Sequence, residues 1–236
     1  MQKLDILVIA AHPDDAELGC GGVLAKHVSL GHRVGVVDLT RGELGTRGTP
    51  ATRDAEAAAA SKILGLSVRE NLGMPDGFFQ NNPEHQLPIA AVVRKYQPTV
   101  VITNAPADRH PDHGRAARLV SDACFLAGLA KVATAGNESP WRPKAVYHFI
   151  QSNYLQPDFV VDISGFWDTK LAAIKAFKTQ FYDPQSTAPT TFISTPEFLK
   201  LVESRAIEFG HSIGATHGEG FIKQQALGVK SLLDFY

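Results

Sequence analysis

The chain has 236 residues, a length that suits one α/β domain. Apolar residues make up 44 % of it and charged residues 20 %, so it can bury a large core and is not a disordered protein. The formal net charge is −1, which lacks the basic surplus typical of proteins that bind nucleic acid or an acidic membrane.

Strand and helix signals alternate along the first half of the chain. Short β-branched runs predict strands, and apolar residues at helical spacing predict helices. The predicted strands of this half are Leu4–Ala11, Arg33–Leu39, Val68–Leu72 and Thr99–Thr103, and the helices that follow them in turn are Val23–Leu30, Thr52–Leu64, Leu87–Tyr96 and Arg115–Leu129. The second half adds strands at Ala145–Gln151 and Phe159–Ile163, then two long helices at Trp167–Phe181 and Pro196–Ser212.

This alternation also predicts the fold class. Strand–helix–strand units imply parallel strands joined by right-handed crossovers. We therefore expect an α/β, Rossmann-like fold with a mostly parallel sheet and helices on both faces. The sequence shows no internal repeat and no linker, so residues 1–236 are expected to form a single domain.

Other features concern the compartment. No secretory leader is recognisable, and no apolar run reaches the roughly 20 residues that cross a bilayer. Cys20 and Cys124 fit no metal or redox spacing, which favours two reduced thiols. We expect a cytoplasmic protein with neither a nucleic acid nor a membrane as partner.

Two loops rich in histidine and aspartate follow the first and the fourth predicted strands. The first reads His12-Pro13-Asp14-Asp15-Ala16-Glu17, and the second reads His110-Pro111-Asp112-His113. In a doubly wound sheet these two strands are neighbours, and ligands bind in the crevice beyond their carboxyl ends. The two loops should therefore meet in space, although about 100 positions separate them in the sequence.

Their side chains have the chemistry of an open metal site. Two imidazoles and one carboxylate, from His12, His113 and Asp15, suit zinc and leave a coordination position free for water. The same donor set also suits non-haem Fe(II), so the metal is less well defined than its position. A lone histidine or aspartate in such a loop is more often a helix cap, but a whole set at adjacent strand ends favours a metal.

The remaining side chains of the two loops suit hydrolytic catalysis. Asp14, beside the ligands, could accept the proton of a metal-activated water. His110, as imidazolium, could stabilise a developing oxyanion and then protonate the leaving amine. Asp112 could orient His110 and hold its charge.

A dinucleotide site is the alternative interpretation of the first loop. Gly19-Cys20-Gly21-Gly22 follows the first strand, and Asp38 ends the second strand. The last glycine of that fingerprint is replaced by Leu24, and the acidic motif occupies the turn where phosphate would lie. The glycines are better explained by close packing of a helix start against the sheet.

The two loops resemble both signature motifs of the LmbE/PIG-L family of zinc-dependent N-deacetylases. The resemblance extends over nearly the whole chain, to Thr40-Arg41-Gly42-Glu43, Arg53, Glu56 and Pro75-Asp76-Gly77. The bacillithiol-pathway branch, whose members remove acetate from N-acetylglucosaminyl malate, resembles this chain at Gly218-Glu219-Gly220-Phe221 and at Ser231-Leu232-Leu233-Asp234-Phe235-Tyr236.

The resemblance implies a function and a role for each site residue. It implies zinc on His12, Asp15 and His113, Asp14 as general base, and His110 as its electrostatic partner. It also implies that Arg53 and Asp76 contact sugar hydroxyls with Glu43 nearby, and that the chain forms a homo-oligomer, with a hexamer as one form.

GlcNAc-malate is the preferred substrate, but the sequence leaves alternatives open. Thr216-His217 stands where the branch has a Lys-Tyr pair, so His217 is expected to shape the substrate site differently. An amidase for thiol conjugates, a chito-oligosaccharide deacetylase and a non-catalytic metal-binding module are the competing interpretations. Candidate partners for the malate carboxylates are Arg41, Arg47, Arg109 and Lys223.

Overall fold

A seven-stranded sheet forms the centre of the computed structural model, which describes residues 3–136 and 138–235. Its strands are β1 (Ile6–Ala10), β2 (Val34–Asp38), β3 (Val68–Asn71), β4 (Val100–Thr103), β5 (Ala145–Phe149), β6 (Phe159–Asp162) and β7 (Gly218–Lys223). They lie in the order β3-β2-β1-β4-β5-β7-β6. The first five strands pair in parallel, whereas β7 is antiparallel to both of its neighbours. The predicted α/β fold with a mostly parallel sheet is confirmed.

Helices cover both faces of this sheet. They are α1 (Asp15–Ser29), α2 (Pro50–Leu64), α3 (Pro83–Tyr96), α4 (Pro111–Ala127), α5 (Trp167–Lys175) and α6 (Pro196–Ser212), with short 3₁₀ turns at Ser164–Phe166, Phe192–Ser194 and Leu232–Phe235. Alternate residues of β1 enter two separate cores, one shared with α1, α2, α5 and α6 and the other with α3 and α4. Because β1 is buried on both faces, it is apolar throughout. Within the described residues, no helix is long and apolar enough to cross a membrane.

Helix α1 begins eight residues earlier than the sequence predicted. The prediction started at Val23 because the preceding glycines weaken any helix signal. In the structure, α1 starts at Asp15 and breaks its helical geometry at Cys20 (φ −147°, ψ 19°). The buried carboxylate of Glu219 accepts hydrogen bonds from the backbone N–H groups of Gly22 (2.9 Å) and Val23 (2.7 Å). A side chain from β7 therefore caps the second part of α1, which a local sequence pattern does not reveal.

Two further differences lie in the second half of the chain. The predicted helix Trp167–Phe181 ends at Lys175, and the following residues form a turn and a loop that reaches the site described below. Strand β7 was not predicted, because its two glycines resemble a loop. Those glycines lie against α6: a Cβ at Gly220 would come within 2.8 Å of the Phe209 ring. Tyr236, at the end of the terminal motif, lies outside the described residues.

The strand order places the two signature loops at one edge. Strands β1 and β4 are hydrogen-bonded neighbours, with Ile9 opposite Thr103. Both loops leave the carboxyl ends of these strands, and each leads into a helix, α1 or α4. The expected meeting point of the two loops is therefore a real feature of the fold.

Close packing of α1 against the sheet predicts the effect of one substitution. A Cβ at Gly22 would come within 2.6 Å of the Ile163 side chain, so Gly22→Ala should lower the free energy of unfolding by about 1–3 kcal/mol. Urea denaturation measures this change. Gly165→Ala is the matched control, because no atom lies within 4 Å of its added Cβ. Equal stabilities of the two variants would contradict the packing argument.

Candidate metal-binding active site

The loop after β1 carries an unusual backbone conformation. Asp14 has φ 112° and ψ −25°, a left-handed region that side chains other than glycine rarely adopt. Such a conformation costs of the order of 1–3 kcal/mol and persists where surrounding contacts enforce it. Here the backbone O of Asp14 accepts from Leu18 N at 3.0 Å, and the backbone N–H of Asp15 donates to His12 O at 3.2 Å. Asp14 is one of the residues that line the cavity described below.

The loop after β4 ends in a regular helix start. His110 is the N-cap of α4, and its Nδ1 accepts from Asp112 N at 3.2 Å. Pro111 occupies the first helical position, where its missing N–H is not needed. This start places His113 in the first turn, and the rings of His110 and His113 stack with centroids 5.1 Å apart.

Two imidazoles from these loops face one carboxylate. The Nδ1 of His12 lies 3.4 Å from Asp15 Oδ2, and the Nε2 of His113 lies 3.2 Å from Asp15 Oδ1. The other nitrogen of each ring is held by a second carboxylate: Asp76 Oδ1 lies 3.0 Å from His12 Nε2, and Asp108 Oδ2 lies 2.5 Å from His113 Nδ1. Carboxylates that orient metal-binding imidazoles in this way are typical of metal sites.

The donor set therefore fits a divalent cation. His12 Nδ1, His113 Nε2 and the Asp15 carboxylate converge, and all three residues are buried. Nitrogens of His12, His110 and His113 also lie within 4.8 Å of one another, as do atoms of His12, Asp76 and Asp112. The first of these groups includes His12 and His113, and the Asp15 carboxylate contacts both of these rings.

The electrostatics of these groups agree with a site that holds positive charge. Although burial opposes ionisation, the His113 and His12 rings hold the pKa of Asp15 well below its usual value. Burial also opposes charge on the imidazoles, but contacts with carboxylates raise the pKa of His12 well above its usual value and that of His113 to about 9. Buried carboxylates that stabilise two imidazoliums will equally stabilise a cation between them.

Asp14 has the properties of a proton acceptor near neutral pH. Burial raises the pKa of its carboxyl to about 7, and the opposing charge of Arg53 limits this rise. Arg53 Nη2 lies 3.1 Å from Asp14 Oδ2 and also donates to the backbone O of Pro13. Arg53 reaches this loop from α2, where it is buried, and Gln180 Oε1 accepts from its Nη1 at 3.1 Å.

The surroundings of His110 oppose the imidazolium form expected from the sequence. Burial, together with the neighbouring His12 and His113 rings, lowers the pKa of His110, which favours the neutral imidazole over the expected imidazolium. Because Nδ1 accepts from a backbone N–H, the proton of the neutral ring resides on Nε2. The ring lines the cavity, so this N–H is available to a ligand.

Three acidic residues have structural partners that the sequence did not predict. The carboxylate of Asp112 lies 3.3 Å from His12 Nε2 and accepts from Gly77 N at 2.9 Å; only its backbone N–H binds His110. The backbone N–H of Asp112, and not its carboxylate as expected, therefore orients the His110 ring. Asp76 accepts from His12 and from Leu44 N. Glu43 accepts from Asp76 N at 2.8 Å and stands behind it.

An open cavity of about 270 Å³ lies over the convergent side chains. Predicted site residues that line it are His12, Asp14, Asp15, Arg53, Asp76, His110 and His113. Of the four basic candidates for a substrate carboxylate, Arg109 lines this cavity, stacked over the Phe192 ring at 4.3 Å. The other three are bound elsewhere: Arg41 to Asp54, Arg47 to Ser186, and Lys223 to Asp158. His217 stacks on Trp167 instead.

Sequence reasoning missed several residues of the site. Asn104 donates to Asp15 Oδ2 at 3.0 Å and accepts from Ala11 N at 2.8 Å, so it bridges β1 and β4. Gln151, just after β5, donates to Asp15 Oδ1 at 2.7 Å. Asp108 could have been predicted as a site residue, because it lies two residues before His110. No sequence signal indicated Gln151, because its loop is distant in sequence from both motifs.

Comparison with known proteins identifies the family. A family model described as PIG-L, GlcNAc-PI de-N-acetylase, matches residues 7–124, which include both signature loops. The chain belongs to the PIG-L family.

Three proteins with different names are similar to this chain. The conserved protein TT1542 from Thermus thermophilus is 39 % identical, with a TM-score of 0.87 over 96 % of this chain and 98 % of that one. The diacetylchitobiose deacetylase of Thermococcus kodakarensis is 28 % identical over 75 % of this chain and 70 % of its own length. The 4-oxalmesaconate hydratase of Pseudomonas putida is 32 % identical over 74 % of this chain and 73 % of its own length.

The hydrogen bond between Asp108 and the His113 ring predicts that loss of the Asp108 charge weakens metal binding. Asp108→Asn removes the charge that polarises the His113 ring, so zinc affinity should fall about 10- to 100-fold. Competition with a chromogenic chelator measures it. Asp122→Asn is the matched control, since that carboxylate lies on α4 and binds Arg118 at 3.1 Å. An affinity equal to that of the control would show that Asp108 does not support the metal.

Proposed function

We propose that the chain is a zinc-dependent N-deacetylase that removes acetate from a small N-acetylglucosamine conjugate, GlcNAc-malate being the preferred substrate. The observation that carries the proposal is the convergence of His12 Nδ1, Asp15 and His113 Nε2 in a cavity that Asp14 and His110 also line. The family description and the similarity to a diacetylchitobiose deacetylase support the same reaction class. Fe(II) remains the alternative metal for this donor set.

His12, Asp15 and His113 would hold the metal. When bound, a divalent cation supplies Lewis acidity toward the acyl carbonyl and lowers the pKa of water to about 7. Three protein ligands leave room for water and substrate, as catalytic sites require. A closed structural site would instead use four protein ligands, and that arrangement would favour the non-catalytic alternative.

Asp14 acts as the general base. Its carboxylate lies beside Asp15 in the sequence and lines the cavity, and its pKa of about 7 suits proton transfer at neutral pH. Asp14 takes a proton from the attacking water as the new C–O bond forms. When the C–N bond breaks, the same group returns the proton to the amine nitrogen, so that acetate and a free amine are released.

His110 stabilises the negative charge that develops on the carbonyl oxygen. Its Nδ1 is occupied by the Asp112 backbone, so the Nε2–H is oriented before the substrate arrives. A preorganised donor in a partly buried cavity is worth more than the same group in water. The ring acts as a neutral hydrogen-bond donor, while Asp14 handles the proton.

Arg53, Asp76 and Glu43 form the proposed sugar side of the cavity. Arg53 and Asp76 line it, while each also holds a site residue: Arg53 binds Asp14, and Asp76 binds His12. Glu43 acts through the backbone of Asp76. Sugar hydroxyls that contact Arg53 or Asp76 would thus be coupled to the orientation of the base and of a metal ligand.

The proposed enzyme is a cytoplasmic homo-oligomer. Cys20 and Cys124 are free and buried, which supports a reducing compartment such as the cytoplasm. The family resemblance supports a homo-oligomer.

A hydratase is the second candidate. The similarity to 4-oxalmesaconate hydratase is as extensive as that to the deacetylase, and hydration also needs an activated water. The deciding experiment compares GlcNAc-malate, GlcNAc, diacetylchitobiose, a bacillithiol conjugate and 4-oxalmesaconate, each with and without chelator. Chelator-sensitive release of acetate from GlcNAc-malate supports the proposal. If 4-oxalmesaconate is the one substrate that reacts, the proposed function is wrong and the chain is a hydratase.

The general-base assignment predicts that Asp14→Asn loses turnover and keeps its metal. The loss in kcat should be about 10²- to 10⁴-fold, because proton transfer in the transition state is removed. Metal content by mass spectrometry and acetate release measure the two effects together. Asp54→Asn, at an exposed position on α2, is the control. A rate near that of the wild type would remove Asp14 from the mechanism.

The position of Arg109 predicts a loss of preference for anionic substrates. Arg109→Met should raise KM for GlcNAc-malate about tenfold or more and leave KM for diacetylchitobiose within twofold, since a charged hydrogen bond contributes about 1.5–3 kcal/mol. Steady-state kinetics on both substrates measure the difference. Arg41→Met is the control, because Arg41 pairs with Asp54. If Arg41→Met alone raised KM for GlcNAc-malate, the carboxylate site would lie elsewhere.

A further inference from the structure

Gln151 lies at the carboxyl end of β5, next to the strand that leads to His110 and His113. Its side chain lines the same cavity as the candidate metal ligands. Neither its loop nor its residue type belongs to the signature motifs, and the mechanism above gives it no role. Its hydrogen bonds show how the side-chain amide is oriented toward the candidate ligands.

The orientation of this side-chain amide is fixed by Asp15. Gln151 Nε2 donates to Asp15 Oδ1 at 2.7 Å. An ionised carboxylate only accepts hydrogen bonds, so the NH₂ group and not the carbonyl must face Asp15. The carbonyl oxygen Oε1 points elsewhere, and it is buried without a hydrogen-bond partner among the described residues. Buried acceptors in native proteins are nearly always paired, so Oε1 lacks the donor that such an atom normally has.

The backbone around Gln151 is held rigidly. Arg205 Nη1 donates to the carbonyl oxygens of Gln151, Ser152 and Asn153. Asp108, which holds the His113 ring, also accepts from Asn153 N at 2.7 Å. The loop and a candidate metal ligand therefore share one anchor, and Oε1 is preorganised relative to the ligand set.

Three other side chains of the cavity carry acceptors that already have partners. The carboxylates of Asp14 and Asp76 accept from Arg53 and from His12. The carbonyl oxygen of Gln180 accepts from Arg53 at 3.1 Å. Among the described residues, Gln151 Oε1 is thus an unpaired acceptor in a cavity-lining side chain that also contacts Asp15.

We infer that Gln151 is a substrate-binding residue whose Oε1 accepts a hydrogen bond from the N–H of the scissile amide, while its NH₂ group holds Asp15. The inference rests on the proposed deacetylase function. The proposed reaction requires the scissile amide to lie over the ligand set, and Gln151 contacts Asp15 of that set, so the amide N–H is the substrate donor that Oε1 would receive. The contact gives the site a preference for N-acyl over O-acyl substrates, because an ester has no N–H.

The test compares GlcNAc-malate with the 2-O-acetyl glucoside of malate, which differs only at the scissile group. At saturating zinc, Gln151→Met should raise KM for the amide at least tenfold and KM for the ester by less than twofold. Zinc affinity by chelator competition is measured in parallel, because loss of the contact to Asp15 can weaken metal binding. Gln156→Met, on the same loop at an exposed position, is the matched control and should change neither KM.

Each outcome decides between interpretations. Equal rises in KM for amide and ester, with lower zinc affinity, would mean that Gln151 acts only through Asp15 and would overturn the inference. Gln151→Lys keeps a donor for Asp15 without an acceptor, so the same amide-specific rise is expected should Gln151→Met fail to fold. If the wild type deacetylates GlcNAc-malate and neither variant alters KM, the inference alone fails. If the wild type releases no acetate, the proposed function fails first.

Discussion

The buried carboxylate of Asp15 is the contact on which the site depends. Its Oδ2 accepts from His12 N and from Asn104 Nδ2, and its Oδ1 accepts from Gln151 Nε2 and lies 3.2 Å from His113 Nε2. One side chain thereby joins the loops after β1, β4 and β5 to the start of α4. Removal of a buried charge so extensively bonded would leave several groups unpaired, so the geometry of the site is cooperative.

A second layer of acids surrounds this centre. Asp76 and Asp112 contact the Nε2 atom of His12, and Asp108 contacts the Nδ1 atom of His113. Buried carboxylates repel one another unless positive charge lies among them. Imidazolium rings can supply this charge, and a divalent cation supplies it without protonating the rings. This excess of acid around two histidines is the physical reason that a metal suits the cavity.

Much of this arrangement could be predicted because it is encoded locally. His12, Asp15 and His113 stand next to strand signals strong enough to fix their place in the sheet, and the parallel order then brings the two loops together. Asp14 was identifiable from its neighbours. Its left-handed backbone and the pairing with Arg53 were not, since they arise from packing of α2 against the loop. The start of α1 was misplaced because glycines hide a helix that tertiary packing stabilises.

The sequence by itself determined the α/β class, the positions of the ligand-bearing loops and the family resemblance, because periodicity and short motifs depend on neighbouring residues. Only the tertiary structure decided which atom meets which. In the structure the Asp112 carboxylate contacts His12 and not His110, and Arg109 is the one of the four basic candidates that lines the cavity. Gln151, which the sequence did not indicate, contacts Asp15. The contacts of Asp112 with His12 and of Gln151 with Asp15 join residues about 100 and 136 positions apart, and no local pattern carries the direction in which such side chains point.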